Sequence, residues 1–179
     1  MDTPDWGRSF SIEYWWQETH PEPRLNGSGV IHYDAGRGAY ALRNRFFGQD
    51  RELGYILLEE EGLAWVFERR GDQRLCHRHA TDRRVRLHEH LTAGRDEGPA
   101  LVLGRETRMI AYEEPGEHDR WLWLVDEAGD PLRFFTWTHH GRIQVLHDVH
   151  AVERGKVLDD DLFRPPADFG CAEPAPSAI

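Results

Sequence analysis

The chain has 179 residues, 39% of them hydrophobic and 30% charged, and a formal net charge of −10. This length and balance fit one globular domain with a substantial core and exclude a disordered chain. Nucleic acid and anionic membranes are disfavoured as partners, because both would repel the net negative charge. Aromatic residues reach 11% with seven Trp, so much of the apolar mass lies in large side chains that fill cores or line pockets for flat ligands.

The first predicted element is a strand in residues 8–17, RSFSIEYWWQ, where apolar and polar side chains alternate. One predicted face carries Phe10, Ile12, Tyr14 and Trp16, and the other carries Ser11, Glu13, Trp15 and Gln17. A linker with two prolines follows, and residues 29–47 then predict a hairpin around the turn DAGRG. Further strands are expected after it, with turns near residues 61–62 and 71–72.

The second half of the chain predicts more strands and little helix. Residues 81–99 are polar and irregular, although Val85, Leu87 and Leu91 could back a short helix. Three strands are expected in residues 100–137, one more in residues 143–154, and a docked helical turn in LDDDLFRPP. The sequence therefore predicts a mainly β domain of about nine or ten strands, covering residues 1–166, and a loose tail at 167–179.

Cysteine usage and the N-terminal sequence predict a cytoplasmic protein. Two cysteines are too few for a disulfide framework, and Cys171 falls in the predicted tail. Cys76 falls in a predicted strand, where a thiol is more often inert core than catalytic. The first ten residues, MDTPDWGRSF, lack the features of a signal peptide, and no apolar run is long enough for a membrane-spanning helix. A reducing compartment is therefore expected.

Histidines and carboxylates are the candidates for chemistry. Cys76-His77-Arg78-His79 and His88-Glu89-His90 could each point two side chains to one face, as a metal site requires, but no spacing matches a zinc signature. Hydrogen-bonded or solvated histidines are the favoured alternative. Glu13 lies in an aromatic run and Glu61 closes an acidic triplet, and a carboxyl group enclosed by apolar side chains can act as an acid or base. Alternatively, Glu13 faces solvent and the triplet forms a turn.

Several short motifs, in the same order along the chain, resemble the VioE-like family of cofactor-free enzymes of violacein biosynthesis, whose structure is similar to the LolA/LolB lipoprotein-carrier fold. They are VLGRE at 102–106, then Tyr112, Pro115-Gly116 and LWLVDEAGDPLRFFT at 122–136. Upstream, the matching positions are Tyr14-Trp15, the Gly29 strand with Asp34 and Arg37, Phe46, and Gly54-Tyr55. The resemblance spans most of residues 10–163 and breaks at 81–97.

This resemblance implies a curved antiparallel sheet forming an incomplete barrel with an open hydrophobic concavity. It also implies a homodimer and no metal or cofactor. The substrate would be an indole-3-pyruvate-imine-derived, bis-indole intermediate, delivered by an upstream amino-acid oxidase and then rearranged or cyclised. The alternative function is a non-catalytic carrier of an apolar or aromatic small molecule, since a half-barrel needs no chemistry to hold a ligand.

The resemblance also assigns site residues, position by position. Phe46 and Glu61 agree in residue type with the family pocket, whereas the other four pocket positions differ. The implied catalytic residues are Glu61 and Glu13, and the implied substrate-binding residues are Ser11, Phe46, Phe47 and His147. We therefore expect Phe46, Glu61 and the Ser11/Glu13 face to converge on one cavity.

Overall fold

The computed structural model describes residues 6–114, 119–138 and 142–171, and these form one antiparallel sheet of eleven strands. The strands are β1 (Ser9–His20), β2 (Asn26–Asp34), β3 (Ala39–Phe46), β4 (Arg51–Leu58), β5 (Leu63–Arg70), β6 (Gln73–Ala80), β7 (Arg95–Val102), β8 (Arg105–Glu113), β9 (Arg120–Val125), β10 (Pro131–Thr138) and β11 (Ile143–Arg154). One short helix, α1 (His90–Ala93), and 3-10 turns at Leu87–Glu89, Asp160–Phe163 and Ala167–Phe169 complete the described structure. In those residues no helix is long and apolar enough to cross a membrane.

The strand order is β6-β5-β4-β3-β2-β1-β11-β10-β9-β8-β7, which divides the sheet into two meanders. The first meander is β1–β6 and the second is β7–β11, and in each of them strands that are consecutive in sequence are neighbours. The pairing of β1 with β11, from Phe10 opposite Arg154 to His20 opposite Gln144, joins the two meanders. Because β6 and β7 remain at the edges, the sheet forms a half-barrel and does not close. The predicted mainly β, incomplete barrel is confirmed.

The inner face of the half-barrel holds the larger core. Phe10, Ile12, Tyr14 and Trp16 of β1 are all buried there, as their alternation predicted. Residues 81–94 cover part of this face, and Val85, Leu87 and Leu91 join the same core. The Val85 N–H donates to Oε1 of Glu59 at 2.6 Å, which fixes the covering segment to the end of β4.

The outer face of β3–β6 is covered by residues 156–171, which we call the C-terminal strap. Leu158, Phe163 and Phe169 of the strap are buried against the outer-facing side chains of the first meander, including Ala41 and Phe67. The prediction that Leu158 and Phe163 dock is therefore confirmed. Residues 167–171, which were expected in the loose tail, pack here as well, and residues 172–179 are outside the described part.

A disulfide joins Cys76 on β6 to Cys171 at the end of the strap, with 5.1 Å between their Cα atoms. The expectation of two separate cysteines, with Cys76 as an inert core thiol, is wrong. The pairing was not predictable from the sequence, because the two cysteines are 95 residues apart and no local pattern indicates that the strap returns to β6. Disulfides are typical of oxidising compartments, so the cysteine argument for a reducing cytoplasm no longer holds, although location itself stays a prediction.

Residues 95–113 form two strands where one was expected within 100–113. The chain reverses at Leu103 and Gly104, which have φ angles of 49° and 78°. Two successive left-handed residues are the geometry of a tight hairpin turn, and that turn usually carries Asn or Asp with Gly. The first of the two positions is occupied by Leu103, which is 89% exposed, and not by Asn or Asp. The sequence therefore did not indicate the hairpin between β7 and β8.

Candidate functional site

A cavity of about 460 Å³ opens on the inner face and spans the junction of the two meanders. Its size lies within the range of small-molecule sites. Its wall is largely aromatic and aliphatic, with a smaller number of polar side chains. The lining residues are Trp16, Glu18, Leu25, Tyr40, Leu42, Asn44, Phe46, Arg51, Leu53, Tyr55, Arg83, Val85, Glu114, Asp119, Trp121, Thr136, Thr138, Ile143, Val145 and His147.

A stack of rings crosses the neighbouring strands along one side of the cavity. The Trp121 and Phe134 rings lie 5.8 Å apart at 23°, and Phe134 and His147 lie 4.1 Å apart at 5°. Tyr14 then meets His147 edge to face, with 4.9 Å between the ring centroids. Phe134 and His147 are direct cross-strand partners, so the β10–β11 register itself produces the stack. The result is a wall of rings locked by packing.

Two glycines in β2 let aromatic side chains of β1 reach across to β3. A Cβ on Gly29 would lie 2.1 Å from Oδ1 of Asn44 and 2.6 Å from the Tyr14 ring. The Tyr14 hydroxyl crosses above this glycine and donates to Oδ1 of Asn44 at 2.9 Å. Gly27 has the same relation to Trp16, whose ring then packs edge to face on Phe46 at 4.9 Å. The glycines thus place Asn44 and Phe46 in the cavity wall.

His147 contributes a neutral imidazole to the cavity. Its side chain is buried, and this burial lowers its pKa to about 3, despite the opposing effect of the nearby carbonyl groups of Phe134 and Val145. Among the described residues, Nδ1 of His147 has no partner in hydrogen-bond geometry. His147 therefore contributes a buried, neutral ring to the cavity wall.

The second polar group in the cavity wall is the side-chain carboxyl group of Glu114, which directly follows β8. Oε1 of Glu114 lies 3.1 Å from Nε2 of His90, and the indole N–H of Trp123 donates to Nδ1 of His90, also at 3.1 Å. His90 and Trp123 are both completely buried. The His90 ring also stacks on Tyr112 with 4.0 Å between centroids. Burial lowers the pKa of His90, so this imidazole is neutral.

The two arginines in the cavity wall already have carboxylate partners. Arg51 donates to Glu68 at 2.7 Å and lies over the Phe46 ring, 4.1 Å from its centroid. Arg83 lies 3.3 Å from Asp119, which also lines the cavity. Their positive charges are therefore offset locally.

The predicted site residues do not all come together. Phe46 and His147 line the cavity. Ser11 and Glu13 lie on the opposite side of β1 from the buried aromatic residues, because successive strand side chains alternate. The Ser11 hydroxyl is 2.7 Å from Nδ1 of His32, and Glu13 is exposed.

Phe47 and Glu61 are also outside the cavity. Phe47 directly follows β3 and is 54% exposed, whereas Glu61 is exposed in the turn between β4 and β5. The expected single cavity of Phe46, Glu61 and the Ser11/Glu13 face is therefore not what the structure has. Glu61 and Glu13 follow the alternatives stated for them, a turn and a solvent-facing position; whether either takes part in a reaction stays a prediction.

The histidine clusters divide among different partners. Nδ1 of His88 is 2.6 Å from the Tyr33 hydroxyl, whereas His90 points to Glu114. His77 and His79 stack on each other on β6, with 5.6 Å between ring centroids. Among the described residues, no group of three or more His, Cys, Asp or Glu side chains could hold a metal ion. The adjacent pair His139 and His140 lies outside those residues.

Sequence reasoning missed most of the polar side chains of the cavity wall, among them Glu114, Asn44 and Thr136. Asn44 had a signal, because it alternates with Leu42 and Phe46 along β3 and must share their face. Glu114 had none, since Pro115 and Gly116 follow it directly, as in a turn, and its contact with His90 spans 24 residues.

No protein-family model matches the chain, and no curated protein matches it either. Among solved structures, an uncharacterized conserved protein from Thermus thermophilus is similar with a TM-score of 0.54 at 13% identity, over 90% of this chain and 89% of that one. At this identity the similarity shows the fold alone.

Other similar structures are more distant. MucB in the Pseudomonas aeruginosa MucA/MucB complex has a TM-score of 0.45 at 15% identity, over 89% of this chain and 56% of that one. A domain from Vibrio parahaemolyticus assigned to outer membrane lipoprotein sorting has a TM-score of 0.26 at 9% identity, over 88% and 89% of the two chains. At these TM-scores neither carries a functional argument.

Proposed function

We propose that this protein binds an apolar or aromatic small molecule in the inner-face cavity and carries it without altering it. The observation that supports this proposal is the ring-lined wall. Trp16 and Phe46 stand on one side of the junction between the meanders and Trp121 on the other, in a space of about 460 Å³. Flat rings locked by packing favour a flat ligand, because little side-chain entropy is lost when it enters.

A neutral fluorescent dye, N-phenyl-1-naphthylamine, tests this proposal. We expect saturable binding to the wild type, with the dye quenching tryptophan fluorescence, since Trp16 and Trp121 line the cavity. Thr136→Trp would fill the cavity and weaken binding by at least about tenfold. Phe135→Trp is the matched control, because it adds the same side chain at the next position of β10, outside the cavity lining.

Circular dichroism must first establish that both variants keep the wild-type fold. Equal dye affinity in Thr136→Trp and the wild type would show that the dye binds outside this cavity and would refute the proposal.

The second candidate is the VioE-like activity, a cofactor-independent rearrangement or cyclisation of an indole-3-pyruvate-imine-derived intermediate. What favours it is that Glu114 and His147 bring a carboxylate and a neutral imidazole to one aromatic cavity, and such groups can move a proton. A homodimer, an upstream amino-acid oxidase and a cytoplasmic location belong to this candidate.

One assay separates the two candidates. Tryptophan and an amino-acid oxidase would generate the imine in the presence of the protein, and mass spectrometry would follow the indole-derived products. A carrier leaves the product distribution unchanged, whereas an enzyme creates a product that is absent without the protein. Loss of that product in a folded Glu114→Gln variant would assign the chemistry to this cavity.

A further inference from the structure

We infer that the ligand of this cavity carries a cationic or hydrogen-bond-donating nitrogen, and that Glu114, positioned by His90, binds that nitrogen. The inference rests on the proposed ligand-binding function and specifies the chemical class of the ligand. It concerns one side chain in the cavity wall and the hydrogen bonds behind it.

The hydrogen bonds behind Glu114 fix the protonation of His90. The indole nitrogen of Trp123 can only donate, so Nδ1 of His90 must accept. A neutral imidazole that accepts at Nδ1 carries its hydrogen on Nε2, and that hydrogen points to Oε1 of Glu114. Trp123 and His90 are fully buried, so this chain of donors has one orientation. It holds the Glu114 carboxylate in place from behind.

The other carboxylate oxygen is left for a ligand. Among the described residues, Oε1 is the Glu114 side-chain oxygen that has a hydrogen-bond partner, and Oε2 has none. Glu114 is 7% exposed and lines the cavity, so Oε2 is the acceptor that an entering molecule would meet. A carboxylate held among apolar groups is costly unless its remaining acceptor capacity is used.

The charge of Glu114 is not offset by an ion pair, unlike the charges of the two arginines in the cavity wall. Arg51 and Arg83 are each paired with another carboxylate, Glu68 and Asp119. The partner of Glu114 is a neutral imidazole, which donates a hydrogen bond without contributing a positive charge. A ligand with an ammonium group would supply that charge, and a ligand with a strongly polarised N–H would supply a further hydrogen bond.

The aromatic wall suits the same class of ligand. We call Glu114, held by His90, the anchor. The centroids of the Trp121 and His90 rings lie 5.3 Å apart, so the anchor adjoins the ring stack. An aromatic amine could place its ring along the stack and its nitrogen at Oε2 of Glu114. Ring faces also attract cations, which would add to the preference for an amine.

Three ligands of one shape test the inference: 2-(1-naphthyl)ethylamine, 1-ethylnaphthalene and 1-naphthylacetate. They share a naphthalene ring and differ in the charge at the end of a short arm. Isothermal titration calorimetry at neutral pH would measure each against the wild type, Glu114→Gln and Glu113→Gln. Glutamine at position 114 can still accept from Nε2 of His90, so this variant keeps the hydrogen bond and loses the charge. Glu113→Gln removes the same charge from an exposed neighbour that does not line the cavity.

We expect the wild type to bind the amine at least about tenfold more tightly than the acetate, since charge-assisted hydrogen bonds are strong. Glu114→Gln should weaken amine binding by about tenfold or more and leave ethylnaphthalene within about twofold. Glu113→Gln should change neither ligand.

The other outcomes refute either the role of Glu114 or the ligand-binding function. Ethylnaphthalene binding with unchanged amine affinity in Glu114→Gln would refute the anchor and leave the ligand-binding function standing. If Glu113→Gln and Glu114→Gln lose equal affinity for the amine, long-range electrostatic attraction explains the loss, and the anchor is refuted as well. Failure of the wild type to bind any of the three would refute the ligand-binding function itself. Should Glu114→Gln not fold, an acetate that binds the wild type as tightly as the amine would refute the anchor alone.

Discussion

Gly29→Ala should destabilise the protein, because no space exists for a methyl group at this position. The added Cβ would lie 2.1 Å from Oδ1 of Asn44 and 2.6 Å from the ring of Tyr14. Neither neighbour can move freely. Tyr14 is completely buried, and its hydroxyl is bonded to the same Asn44 oxygen at 2.9 Å.

The expected size follows from three contributions. Loss of the Tyr14–Asn44 hydrogen bond costs about 1 kcal/mol, and overpacking of the core costs about 1–3 kcal/mol. Replacing glycine by alanine returns about 0.4–1 kcal/mol by restricting the unfolded chain. The net destabilisation is about 2 kcal/mol, which corresponds to about 4–8 °C in Tm for a chain of this length.

Urea denaturation, followed by tryptophan fluorescence and circular dichroism, would measure the free energy of unfolding. Gly36→Ala is the control, because Gly36 is exposed in the β2–β3 turn, without a positive φ, and its nearest neighbour is a side-chain oxygen at 3.2 Å. We expect the control to change stability by less than about 0.5 kcal/mol.

A double variant tests the cause. Asn44→Ala removes the atom nearest to the new methyl group, so in the Gly29→Ala background it should cost less than it does alone, with a coupling of about 1 kcal/mol. Wild-type stability in Gly29→Ala, or strictly additive effects in the double variant, would refute the steric account.

Three further predictions concern other parts of the molecule. Cys76→Ser should lower the free energy of unfolding by up to about 4–5 kcal/mol, the chain-entropy limit for a crosslink to Cys171 across 95 residues; reductant should destabilise the wild type but not this variant, and an equal effect on both would contradict the crosslink. Glu61→Gln should leave dye binding unchanged, because Glu61 is exposed in a turn away from the cavity, and weakened binding would return it to the site. The pKa of His147 is 6.5 in the unfolded chain and about 3 in the folded one, so on going from pH 7 to pH 5 the unfolded state takes up a proton and the free energy of unfolding should fall by about 2 kcal/mol. In urea titrations over the same pH range, the free energy of unfolding of His147→Gln should fall by about 2 kcal/mol less than that of the wild type. An equal fall in both proteins would contradict this prediction.

Local patterns in the sequence were sufficient for the fold class. The alternation of Phe10, Ile12, Tyr14 and Trp16 gave the first strand and its buried face, because a strand presents successive side chains to opposite sides. Features that depend on distant partners were not accessible. The Cys76–Cys171 disulfide depends on where the strap returns, and no local pattern records that return.

The site was less predictable than the fold for a related reason. Positions carried over from the resemblance gave Phe46 and His147, which do line the cavity, and also Glu61, which agrees in residue type and does not line it. A type match at one position says nothing about which face the position occupies. Alternation along β1 would have moved Ser11 and Glu13 away from the buried rings, had it been given more weight than the resemblance.

The order of the strands makes the molecule divisible. Strand pairing within each meander is between consecutive segments, and the β1–β11 ladder is the pairing that joins the meanders. The cavity takes Trp16 and Phe46 from the first and Trp121 and His147 from the second, so neither half alone possesses a complete binding site. With the Cys76–Cys171 disulfide reduced, a chain cut between β6 and β7 would yield two complementary fragments whose reassembly a ligand favours, because only the rejoined halves can enclose it. Ligand binding and fragment association would then be coupled. A reporter split between the two fragments would give a signal that rises with the concentration of the ligand.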